Sequence, residues 1–107
     1  MKGQLWQKGR GVSAAVLPVE TFKEGDVYIA NCSVLRVASH GKTEREAEKA
    51  LREAMDLFFE ELEKKGTLEE VLLEAGWRKV RRERREYMVP PEVHHTSFSI
   101  SPVPVPA

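Results

Sequence analysis

Residues 43–66, TEREAEKALREAMDLFFEELEKKG, decide the fold. Thr43 and Glu46 stand at the spacing of a capping box, in which the threonine hydroxyl accepts from the third helical amide while the glutamate reaches back. Glu44 and Glu46 put acid into the first turn, where the helix dipole favours it. Ala47, Leu51, Ala54, Phe58 and Leu62 then recur at steps of four, three, four and four, so they share one helical face. The opposite face is charged, and Gly66 is a good residue to stop the helix. The pattern predicts a helix from Thr43 to about Lys65 with that stripe as core. Met55 and Phe59 form a narrower stripe to one side. They suit either further core or an oligomer interface, and we read them as an interface, because one sheet covered by one helix leaves a face in need of cover.

Upstream, Val12 to Phe22 is rich in Val, Ala, Leu and Thr and predicts a strand, with Pro18 restricting it to an edge or bend. Lys23-Glu24-Gly25-Asp26 is a turn signal, and Val27 to Ala30 completes a hairpin. Leu35 to Ser39 alternates apolar and polar residues and predicts a third strand. His40-Gly41-Lys42 reads as the exit turn.

Downstream, Thr67 and Glu70 repeat the capping-box spacing, and Leu68, Val71, Leu72 and Ala75 predict a short helix ended by Gly76. Trp77 to Val89 reads as extended, broken by Pro90-Pro91, and Val93 to Ile100 as a last strand. Ser101 to Ala107 alternates Pro and Val and offers few ladder donors. The expected order is β-β-β-α-α-β-β: an α+β domain with an antiparallel sheet packed on one long helix. One domain accounts for all 107 residues, with its core at about 12–65, an extension over 66–100 and a proline-rich tail.

A 41% hydrophobic content excludes a wholly disordered chain. No apolar run nears the roughly 20 residues of a membrane helix, and the N-terminus has no clean signal-peptide core, so a cytoplasmic location with no membrane contact is expected. The one cysteine, Cys32, permits no internal disulfide and makes a cysteine zinc site improbable; it reads as a small buried hydrophobe. Many charges with only three amide residues (Gln4, Gln7 and Asn31) match a thermophile bias. Net charge is zero, yet residues 43–75 carry −6 between flanks of +3 each, so the average conceals two unlike surfaces.

The stretch 28–61, YIANCSVLRVASHGKTEREAEKALREAMDLFFEE, resembles the core of HicB-like antitoxin domains. Tyr28, Ala30 and Cys32 carry an extended Tyr-x-Ala-x-Cys. Val37, Ala38, Ser39, Gly41 and Thr43 carry a Val-Ala-Ser-x-Gly-x-Thr turn. Glu46, Ala47, Leu51, Glu53 and Ala54 carry the helix pattern. Leu68-Glu69-Glu70, Gly76-Trp77 and Val89-Pro90-Pro91 are similar to the tail of longer members. Two departures stand out. Arg36 occupies a place where members often have glycine, and the segment after the second helix reads as strands where many members have a helical DNA reader. The resemblance implies a reduced RNase H-like arrangement of three strands and a helix, association as dimers or higher oligomers, and silencing of a small HicA-like RNA-cleaving toxin. No catalysis and no cofactor are expected.

The residues themselves offer little catalytic chemistry. A metal-dependent nuclease site needs converging carboxylates, whereas Asp26 sits in a turn and Asp56 in mid-helix. His94-His95 would point to opposite faces of a strand, so one metal is not chelated by both. The dense basic run Arg78, Lys79, Arg81, Arg82, Arg84 and Arg85, flanked by Trp77 and Tyr87, stays open to three readings. It is a solvated edge strand protected from aggregation, a nucleic-acid contact, or a dock for the acidic helix of a neighbouring subunit. The leading expectation is an antitoxin-type protein whose acidic helix face complements a basic toxin. The alternative is a nucleic-acid-binding or regulatory module using residues 78–85.

Overall fold

A computed structural model of the chain describes residues 17–106. The elements run β1 (Glu20–Glu24), β2 (Val27–Cys32), β3 (Val37–Gly41), α1 (Glu44–Lys65), α2 (Leu68–Glu74), β4 (Arg78–Arg82) and β5 (Arg85–Val89). The fold is α+β in the expected order, with β1-β2-β3 as an antiparallel sheet, α1 packed on it, and β4-β5 as a separate hairpin.

Several boundaries differ from expectation. β1 begins only at Glu20, β2 runs on to Cys32, and His40 and Gly41 close β3 instead of forming the exit turn. Lys23 and Glu24 belong to β1, so the first turn tightens to Gly25-Asp26, with Gly25 at φ 62°; residues 12–16 of the expected first strand lie outside the described part. The third strand begins at Val37, because Val34 and Leu35 are spent in the turn and tucked into the core. Last, the two final strands both fall within residues 77–89, and 93–100 is exposed chain outside either sheet. The physical reason is locality: Glu83-Arg84 lets the basic run fold back on itself, which closes a far shorter loop than pairing with a distant strand.

Helix α1 begins and ends where the sequence places it. Thr43 Oγ1 accepts from the Glu46 amide at 3.1 Å, and Glu46 Oε1 accepts from the Lys42 amide at 3.0 Å, one residue earlier than the usual box. At the far end Gly66 is left-handed (φ 70°), its amide bonds to the Glu63 carbonyl, and Thr67 bonds to Leu62, a Schellman stop. The same pair of bonds ends α2, from Gly76 to Leu73 and from Trp77 to Leu72. Thr67, by contrast, makes no side-chain cap for α2.

The core corrects the expected stripe. Ala47 and Leu51 are buried, but the stripe continues through Met55 (1% exposed) and Phe59 (0%), with Ala54, Phe58 and Leu62 half-buried beside it. Met55 and Phe59 are therefore interior and not an oligomer interface. Steps of four drift around a helix of 3.6 residues per turn, and the drift carries the stripe toward the side where Leu68, Leu72, Trp77 and Met88 close the core. Ala30 and Cys32 of β2, with Val34 and Leu35, complete it. Full burial of side chains the size of Leu51, Met55 and Phe59 stabilises by roughly 1.5–3 kcal/mol each.

Candidate binding surfaces

Helix α1 presents two unlike sides to solvent. On one, Leu57 is 60% exposed. Glu53 and Glu61 lie one turn before and after it, Glu60 lies three residues on, and all three are exposed. An apolar side chain ringed by carboxylates is the pattern of an anchor within a charged rim. Adjoining that side, with Glu53 on the shared border, Arg45, Lys49 and Arg52, spaced four and three apart, line an open groove of about 1530 Å³. Leu17, Val19, Leu51 and Met55 also line it, all but Val19 with almost no exposed surface. Its far wall is Arg78 with Val89, Pro90, Pro91 and Val93, and Glu48, Glu53, Glu92 and His95 also line it. Sequence reasoning did not find this groove. The sole signal for it was Pro90-Pro91, which turns the chain back past α1.

The basic run divides by strand register. Trp77 and Met88 are buried, so Lys79, which pairs with Met88, lies on the core-facing surface of the hairpin. Lys79 Nζ binds Glu69 Oε2 of α2 at 2.7 Å, and Arg81 stands opposite Glu86. Arg78, Val80, Arg85, Tyr87 and Val89 occupy the other surface, with Val80 opposite Tyr87 and Arg78 opposite Val89. Arg82 pairs in register with Arg85, and Arg84 sits in the turn. Glu83 and Arg84 both have positive φ, 47° and 69°. That is the conformation of a type I′ turn, which usually takes Asn-Gly. The six cations are thus not one patch: one is tied to α2, one faces an acid, and Arg78 and Arg85 share a surface with Tyr87.

Trp77 anchors this hairpin to the sheet. Its Nε1 donates to the Val34 carbonyl over 2.7 Å, in the buried turn between β2 and β3. Through that turn the stretch at Arg36, left-handed at φ 58°, and the hairpin are held in one body.

The remaining candidates stay apart. Cys32 is fully buried, and desolvation pushes its thiol above the ordinary value of 9.0, against weaker opposing bonds from the Leu35 and Val34 amides. A raised thiol makes a poor nucleophile. Asp26 is exposed in the first turn and Asp56 half-buried in α1. His40 is exposed on β3, and His94 meets Glu92 at 3.1 Å in exposed chain. No group of three or more metal-ligating side chains converges among the described residues. None of the described helices is long and apolar enough to cross a membrane.

Comparison with protein families, curated proteins and solved structures gives no match for this chain.

Proposed function

We propose that the chain is an antitoxin-type binding protein of the HicB-like kind, which holds a small basic RNA-cleaving toxin against the acidic side of α1. The observation that carries this reading is Leu57, 60% exposed among Glu53, Glu60 and Glu61. Leu57 offers an apolar contact, and the acidic rim around it would steer a basic partner onto that contact. The sequence likeness over residues 28–61 supplies the class of partner. On this reading the protein works in the cytoplasm, without catalysis. It self-associates through the sheet face opposite α1, where Phe22 is 47% exposed, since Met55 and Phe59 are committed to the core.

The test is co-expression with the product of the adjacent small reading frame. Relief of that product's toxicity together with co-purification supports the reading. Unrelieved toxicity, or a chain that elutes without the product, overturns it.

A second reading rests on the β4-β5 hairpin, where Arg78, Tyr87 and Arg85 share one surface. Cations beside an aromatic ring are the chemistry of a nucleic-acid contact. Salt-sensitive binding of an oligonucleotide, weakened by Arg85→Glu, tests it; salt-independent binding overturns it.

A further inference from the structure

We propose that the groove beside α1 and the outward surface of the β4-β5 hairpin form one continuous site for single-stranded nucleic acid. This deepens the second reading above, which concerns the hairpin alone. Two observations carry it. Arg78 belongs to both features: it lines the groove, and its strand position puts it on the surface of Val80 and Tyr87. Arg45 and Lys49 of α1 line the same groove as Arg78, so cations from the helix and from the hairpin border one passage.

The chemistry selects the class of ligand. Along β5, Arg85 and Tyr87 are two residues apart on one surface, about 7 Å, so a cation for a phosphate stands beside a ring for a base. The groove has a part-exposed apolar lining of Pro18, Val19, Val89 and Pro91. It can receive unstacked bases, which a duplex keeps hidden. Glu48, Glu53 and Glu92 also line the groove, so the backbone must keep to the Arg45–Lys49–Arg78 path. An acidic protein would match the cations but brings no base to stack on Tyr87.

The experiment is fluorescence anisotropy with a labelled uridine dodecamer, its thymidine DNA counterpart and a duplex of equal length. The expected result is binding of both single strands in preference to the duplex. Between about 50 and 200 mM salt the log–log slope should be near −2 to −3, as three or four neutralised phosphates at about −0.7 each require. Arg45→Glu with Lys49→Glu should weaken binding at least about tenfold. The neutral pair Arg45→Gln with Lys49→Gln should weaken it less, and both positions are exposed, so the fold survives. Tyr87→Leu should cost about fivefold or more while leaving the slope unchanged. Lys64→Glu with Lys65→Glu makes the same charge change at the end of α1 and should stay within about twofold, because it leaves the site alone.

If the groove pair matches that control while Arg85→Glu abolishes binding, the extended site is wrong and the hairpin reading stands. If no oligonucleotide binds at low salt, both fall. Equal affinity for the duplex, or displacement of the RNA by an oligoglutamate peptide at equal concentration, overturns the single-strand assignment.

Discussion

Trp77 Nε1 donates a 2.7 Å hydrogen bond to the carbonyl oxygen of Val34, joining residues 43 apart in sequence inside the core. The indole fills space among the core side chains and satisfies a carbonyl in the buried β2–β3 turn. It thereby fixes the hairpin to the sheet. Trp77→Phe keeps most of the apolar contact but leaves the carbonyl unpaired. We expect a loss of about 1–3 kcal/mol, read as a lower midpoint in urea denaturation. Hydrogen exchange should speed up first in the amides of β4 and β5.

Gly41 is required by close approach. A Cβ there would lie 2.6 Å from Glu46 Cβ and 2.7 Å from the Ala47 backbone nitrogen. The first turn of α1 sits against β3 only because nothing projects at that point. Gly41→Ala forces the backbone apart and should cost about 1–3 kcal/mol, with an unchanged denaturant slope. A variant as stable as the parent would mean that the helix shifts freely.

Two turns hold side-chain-bearing residues in the left-handed region: Arg36 at φ 58°, and the Glu83-Arg84 pair at 47° and 69°. Glycine enters that region at no steric cost, whereas other residues pay about 1 kcal/mol or more. Arg36→Gly, and Glu83→Asn with Arg84→Gly, should each stabilise by roughly 0.5–1 kcal/mol. At about 4–8 °C per kcal/mol for a domain of this size, each change raises Tm by a few degrees. For the Asn-Gly hairpin, slower amide exchange at Val80 and Tyr87 is the direct readout.

Cys32 sets an alkaline limit. Burial raises its thiol above 9.0 in the folded chain, so the folded state keeps a proton that the unfolded state loses. Stability is therefore undiminished below the unfolded value and declines as pH rises past about 9. Cys32→Ala removes this thiol's contribution to the alkaline decline, at the cost of a small cavity. A thiol reagent at pH 8 should react with the native protein only as fast as it opens.

Much of this architecture is legible in the chain, and the rest fails for identifiable reasons. Thr43, Glu46 and Gly66 fix α1 because capping and left-handed stops are local chemistry. The choice between the Ala54–Phe58–Leu62 stripe and the Met55–Phe59 stripe is not local. It depends on where α2 and Trp77 pack, so both stripes look alike until those partners are present. The hairpin turn hid because Glu83-Arg84 lacks the usual Asn-Gly. The basic run is visible as composition, but its division between Lys79 on Glu69 and Arg78 beside Tyr87 needs strand register. The acidic helix is visible in the chain, and Leu57, which falls outside both stripes, is exposed within it.

The central claim is that the acidic side of α1 takes up a small basic toxin around Leu57. Light scattering on the co-purified pair, made once with the native chain and once with Leu57→Asp, tests it most directly. Leu57 is exposed, so the substitution spares the fold. The account predicts a defined complex for the native chain and a loss of at least about thirtyfold in affinity for the variant, the scale of an interface hot spot. A complex of unchanged mass and affinity with Leu57→Asp would contradict it.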